Sequence, residues 1–170
     1  KSEPIVSTIL NGGPGGHERW YSFDWGNVHF VALDTELIGS EQLDWLEDDL
    51  ASTDQPWTIA YFHRPAYSSG SSHGSSKKVR KHIAPILERH GVQLALAGHS
   101  HNYERTKPMN GVTHVVTGGG GEGVRPVGTS EWTAFSASVA HFVYVTVGDG
   151  KLRLHAIDAS GKEFDGVEIH

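Results

Sequence analysis

Val92-Gln93-Leu94-Ala95-Leu96-Ala97-Gly98-His99-Ser100-His101 is the stretch that decides the fold. A nearly unbroken apolar run ends on a glycine and then delivers two histidines. Such a run reads as a strand covered on both faces. Working backwards, Val79, Ile83, Ile86 and Leu87 mark one face of a helix that Gly91 closes, with Pro85 inside it as a kink or break. Before that helix, Trp57–Phe62 is another apolar run, and it leads straight into His63. Leu43, Leu46 and Leu50 predict an amphipathic helix over 41–51, with Ser40 as its N-cap. Val28–Leu33 is a third apolar run, ending at Asp34. The order strand, helix, strand, helix, strand implies parallel strands joined by right-handed crossovers.

Working forwards, the pattern changes. Residues 112–116 read as a short strand and 118–123 as a tight glycine loop. Segments 142–147 and 152–157 flank Gly148-Asp149-Gly150-Lys151, a hairpin signal, and 164–169 adds a last strand. The C-terminal third is therefore expected to be antiparallel. Residues 1–20 read as glycine- and proline-rich loop. Neither an internal repeat nor an interdomain linker is evident, so residues 1–170 read as one domain of the α/β (mixed α+β) class: a βαβαβ parallel segment followed by antiparallel strands.

The composition excludes several functions. The chain has no cysteine, which rules out disulfides, thiolate ligands and cysteine nucleophiles. Its net charge of −6 and scattered basic residues give no nucleic-acid footprint. The one basic run, Lys77-Lys78-Val79-Arg80-Lys81, reads as the exposed face of a helix. No stretch approaches the roughly 18 apolar residues of a membrane-spanning helix. The start at Lys1-Ser2-Glu3-Pro4, with no initiator Met and no leader pattern, is expected of a processed or truncated chain.

Histidine is the unusual count, 12 in 170 residues. Without soft ligands, a transition metal here would be held by imidazole and oxygen. His63 and His99 both follow strands, at the carboxyl edge where ligands gather in open α/β sheets. In extended chain His99 and His101 would share one side, about 7 Å apart, a spacing that suits two metal ions better than a chelate of one. Gly118, Gly120 and Gly123 also fit a dinucleotide-loop spacing, but no apolar helix follows them, and a tight loop is the simpler reading. Asp34 reads as a satisfied structural carboxylate, and the five tryptophans read as core or rim.

Gly98-His99-Ser100-His101-Asn102-Tyr103-Glu104-Arg105 resembles the Gly-His-x-His signature of the calcineurin-like metallophosphoesterases, and its Tyr-Glu-Arg extension is similar to the purple acid phosphatase branch. His63-Arg64-Pro65-Ala66-Tyr67-Ser68-Ser69 resembles that branch's preceding histidine block. Tyr21-Ser22-Phe23-Asp24-Trp25-Gly26-Asn27-Val28-His29-Phe30 resembles the strand that enters this half of the fold. The resemblance implies a four-layer α/β/β/α sandwich of which this chain is the C-terminal half. It implies that His63 and His99 bind one metal ion and His101 a second, the pair being iron, zinc or manganese, bridged by a hydroxide and an aspartate. It implies hydrolysis of phosphate monoesters, with His73 as phosphate contact or general acid. Glu104 and Arg105 would then stand behind the ligands or contact substrate, the commoner role being an internal ion pair that anchors the metal loop. A secreted or periplasmic location is implied by the same resemblance.

The family's Asp-x-His, Gly-Asp-x-x-Tyr and Gly-Asn-His-Glu blocks are not in this sequence. Three imidazoles over two cations fall short of the roughly four ligands of a stable site. The chain is therefore expected to work with an N-terminal half, covalent or as a separate chain. Alone, an uncovered sheet edge and apolar face would favour self-association. Two other readings stay open: a phosphodiesterase or nucleotide pyrophosphatase on the same scaffold, and a non-catalytic domain that binds metal or a partner through its histidines. No nucleic-acid or membrane partner is indicated.

Overall fold

The structure, a computed structural model, describes residues 19–148 and 150–170. His17 and the glycine-rich stretch read as loop over 11–16 lie outside the described residues. Alternation along three parallel strands sorts the interior into two halves. These strands are β2 (Val28–Leu33), β3 (Trp57–Phe62) and β4 (Leu94–Ala97), hydrogen-bonded in that order. Val31, Leu33, Ala60, Phe62, Ala95 and Ala97 face one way, against the helices. Val28, Trp57, Ile59 and Leu94 face the other way. Successive strand side chains point to opposite faces, so apolar residues at every position give a sheet buried on both sides.

The helices are α1 (Ser40–Ser52), α2 (Lys77–His82) and α3 (Ala84–Arg89). Leu46 and Leu50 seat α1, while Val79, Ile83, Ile86 and Leu87 seat the other two. The expected break at Pro85 is present: α2 and α3 part at Ile83, and the proline sits in the first turn of α3, where a missing N–H goes unnoticed. Gly91 closes the pair at a φ of 66°. One detail differs from expectation. Gly39 occupies the N-cap of α1, with no capping hydrogen bond from its side, and Ser40 is already helical. In α2, Arg80 does not join its basic neighbours in solvent. Its guanidinium lies 4.5 Å from the Tyr67 ring centroid and 4.6 Å from that of Trp132.

The larger sheet has seven strands in the order β1-β2-β3-β4-β6-β5-β7, completed by β1 (Tyr21–Trp25), β5 (Tyr103–Thr106), β6 (Thr113–Thr117) and β7 (Thr133–Ala137). The strand expected over 112–116 is β6, and its placement corrects the sequence reading. It pairs parallel to β4 and extends the parallel sheet, with antiparallel pairing beginning only at β5. β1 forms a hairpin with β2 through Gly26, whose φ is 62°.

A second sheet, β10-β9-β8, is formed by β8 (His141–Gly148), β9 (Lys151–Asp158) and β10 (Glu163–Ile169). Leu152, Leu154 and Ala156 of β9 pack on the face of the larger sheet that the helices leave free. The described residues thus form three layers: helices, larger sheet, smaller sheet. Among the described residues no helix is long and apolar enough to cross a membrane.

Candidate metal centre

β3 and β4 are neighbours and parallel, so their carboxyl ends release His63 and His99 side by side. His63 Nε2 lies 3.0 Å from His99 Nδ1. Their rings meet edge-on, with centroids 4.8 Å apart. An open cavity of about 380 Å³ at this edge is lined by Tyr61, Phe62, His63, Leu96, Gly98 and Thr117, among others.

The chain from His99 to His101 is not extended, contrary to the sequence reading. Ser100 N donates to Gly98 O (2.7 Å) and Asn102 N donates to Ser100 O (2.8 Å). These are two successive three-residue turns, with His99 and His101 at their vertices. His99 has a φ of 65°. A turn of this hand is rare and strained for a residue with a Cβ, and such strain gathers at functional sites. The loop is pressed against the glycine run: a Cβ on Gly118 would stand 2.1 Å from Ser100 O, and one on Gly119 2.5 Å from the His141 ring. Glycine is needed there for close approach of backbone to backbone.

His73 comes from the loop after β3. Its ring lies 4.3 Å from that of His99, and its Nε2 is 2.9 Å from Arg125 Nη1. A guanidinium can only donate, so Nε2 accepts and the proton of the neutral ring sits on Nδ1. Ser68 and Ser100 both donate to His73 O, the former at 3.1 Å. The Ser between the two motif histidines therefore fastens the His73 loop.

Glu104 is buried at 1% exposure. It accepts from Ser69 N (2.5 Å), Ser69 Oγ (2.8 Å), Thr133 Oγ1 (2.6 Å) and Trp132 Nε1 (3.2 Å). Four donors offset the cost of burying the group, and they pin the loop that carries His73. Arg105 does not share this task, and the expected Glu104–Arg105 ion pair is not formed. Adjacent strand residues face opposite sides, and Arg105 reaches across to Asp165 of β10 at 2.7 and 2.9 Å. Tyr103 OH donates to the same carboxylate at 2.7 Å. Asp34 is occupied by Arg19 and by the backbone N–H groups of Glu36 and Leu37. His141 is buried in the core between Val139 O and Thr117 Oγ1.

The donor set is compatible with cations. Two imidazole nitrogens on one metal ion, each about 2.1 Å from it, stand about 3.0 Å apart at a right angle and about 3.4 Å at the tetrahedral angle. The His63–His99 spacing lies in that range. Burial, with the nearby charges of His73, Arg64 and His63, lowers the pKa of His99, which favours the neutral ring that ligates metals. His101 Nδ1 is buried without a hydrogen-bond partner. The nearest carboxylate, Glu122, stands 3.6 Å away, beyond hydrogen-bond range. The set is also incomplete: among the described residues no group of three or more His, Asp or Glu side chains is arranged to hold a metal ion.

The sequence points to the histidines and to Glu104 but not to the other groups that hold them. Arg64, Ser68, Ser69 and Ser100 stand inside the motif blocks with no role readable from their spacing, Arg125 has no signal beyond lying in a loop, and Thr133 lies in a strand the sequence does not mark.

Comparisons with known proteins bear on the family and the fold. The calcineurin-like phosphoesterase profile matches residues 4–103. Acid phosphatase A of Cryphonectria parasitica is 30% identical over 167 residues, covering 75% of this chain and 33% of that protein. Probable inactive purple acid phosphatase 1 of Arabidopsis thaliana is 34% identical over 177 residues, covering 86% of this chain and 27% of that protein. The solved structure of purple acid phosphatase PPD1 from yellow lupin seeds superposes with a TM-score of 0.85 at 30% identity, over 97% of this chain and 35% of that one. This chain spans about a third of the length of these relatives.

Proposed function

The chain belongs to the calcineurin-like phosphoesterase family, and we propose that it supplies the histidine wall of a dinuclear metal site that hydrolyses phosphate monoesters. The observation that carries this reading is the meeting of His63 and His99 at the ends of adjacent parallel strands, with His99 held in a strained turn. In this reading His63 and His99 hold one metal ion and His101 the other. Bound metal ions would act as Lewis acids toward the phosphate and make water a competent nucleophile near neutral pH. His73, its ring 4.3 Å from that of His99, offers its Nδ1–H to a phosphate oxygen or to the departing alkoxide. Glu104, Ser69 and Ser100 keep the His73 loop in register with the ligand loop.

One relative is named as an acid phosphatase and another as probably inactive, so the names alone do not decide activity. Three imidazoles also give too few ligands, and no carboxylate among them to offset two cations. The reading therefore places the remaining ligands on an N-terminal half of the same fold, covalently attached or separate, with iron, zinc or manganese in the site. A secreted location fits the acid phosphatase relatives. Hydrolysis of diesters or nucleotide pyrophosphates on the same scaffold is the competing substrate class. The test assays the 170-residue chain and the longer protein containing it, with added divalent metal, on a monoester and a diester. The longer protein is expected to turn over the monoester, and its His63→Ala and His99→Ala variants to lose both bound metal and activity. Unchanged metal content in these variants would remove the ligand assignment. Full activity of the isolated chain would remove the need for a second half.

A further inference from the structure

Two guanidinium groups stand beside the candidate ligands, and they are differently engaged. Arg64 binds Glu36 through Nε and Nη2 at 2.7 and 2.9 Å, while its Nη1 lies 3.3 Å from His99 Nε2. Its charge is matched by a carboxylate. Arg125 is partly buried in the segment after the glycine run. Its side chain makes one hydrogen bond, to His73 Nε2, and has no carboxylate partner among the described residues.

Arg125 is also firmly placed. Its N–H donates to His101 O at 2.8 Å. Pro126 O accepts from Ser71 N at 3.1 Å, Gly128 N donates to Ser69 O at 3.1 Å, and Val127 bridges Gly70. The backbone on both sides of Arg125 is thus tied to the two loops that carry His101 and His73. A guanidinium has five donors, and an imidazole nitrogen takes one. The remaining fork matches the geometry of a phosphate. A partly buried cation without a counterion is unfavourable until an anion arrives.

We propose that Arg125 binds a second phosphate group of the substrate, so that the site favours compounds, diphosphates included, that carry one phosphate beside the phosphate being cleaved. The proposal rests on the reading of His63, His99 and His101 as the hydrolytic centre. Arg125 touches His73, His73 lies against His99, and His99 meets His63. Arg125 therefore stands beside His73 and next to the His101 backbone, within reach of the part of a substrate adjoining the bound phosphate.

The test uses the longer metal-loaded protein and its Arg125→Ala and Arg125→Lys variants. Binding of inorganic phosphate and of methylenediphosphonate, which is not hydrolysed, is measured by calorimetry, and KM is compared for p-nitrophenyl phosphate and pyrophosphate. The parent is expected to prefer the diphosphonate. Arg125→Ala should weaken both, since it also frees the His73 ring, but diphosphonate binding about tenfold more than phosphate binding, with Arg125→Lys in between. The KM for pyrophosphate should rise severalfold more than that for p-nitrophenyl phosphate, which loses only the hydrogen bond that orients His73. Equal losses for both ligands, or no loss for either, would overturn the proposal while leaving the hydrolytic reading in place. A parent that neither binds nor hydrolyses any phosphate compound would remove both.

Discussion

At the scale of single residues, His99 combines an unfavourable backbone with a central position. A φ of 65° on a residue with a Cβ costs about 1–2 kcal/mol. Glycine adopts that φ freely. His99→Gly is therefore expected to be more stable to urea than His99→Ala, by about 1 kcal/mol. Equal midpoints for the two variants would show that the turn is unstrained. The histidines were legible in the sequence because each follows an apolar run that ends at a sheet edge. The turn at His99 was not, because the sign of φ at a non-glycine residue leaves no mark in composition or periodicity. Arg125 escaped notice for another reason. It lies 52 positions from His73 along the chain, and only the folded backbone brings them together.

At the scale of elements, two buried histidines set opposite pH limits. His29 of β2 lies 2.7 Å from Asp24 of β1 and 2.9 Å from Asp49 of α1. Burial disfavours its charge, but the hydrogen bonds and charges of Asp49 and Asp24 outweigh this, and its pKa is raised. Its contribution is complete below the unfolded value of about 6.5 and is lost as pH climbs through the raised folded value. His114 of β6 behaves the other way. Burial, with a smaller contribution from Arg80, lowers its pKa to about 4. Stability should therefore fall, by up to about 3 kcal/mol, as pH drops from about 6.5 toward that value. Urea titrations across pH are expected to show both limbs, with His29→Gln flattening the alkaline one and His114→Gln the acid one. Profiles unchanged by these substitutions would reject the assignment. The βαβαβ segment was legible because its strands are apolar at nearly every position. β5 and β7 were not: Tyr-Glu-Arg-Thr and Thr-Ala-Phe-Ser-Ala are short and mixed, and long-range pairing alone defines them. The parallel placement of β6 was hidden for the same reason, since nothing local states which edge a strand joins.

At the scale of the whole molecule, the described residues of the two sheets leave edges and apolar rings uncovered. β8 is an edge strand with Phe142 and Tyr144 each 55% exposed, and Trp25 at the end of edge strand β1 is 51% exposed. Tyr21, Phe23, Phe30 and Tyr61 add a run of ring contacts across β1 to β3. Unpaired edges beside apolar surface invite association. The isolated chain is expected to form dimers or larger species in sedimentation velocity at micromolar concentration, and Phe142→Lys with Tyr144→Lys to shift it toward monomer. A monomeric parent at those concentrations would count against an exposed docking face. The α/β class was readable from element order, but the extent of this open surface was not, because it depends on which face the smaller sheet leaves bare.

The turn at His99 has a bearing on mutation as well as on geometry. A position where the wild-type residue opposes folding is held by selection for something other than folding. A gene copy relieved of that selection meets no thermodynamic resistance to glycine at codon 99. A variant library sorted for heat tolerance alone would accordingly enrich chains that have discarded this imidazole.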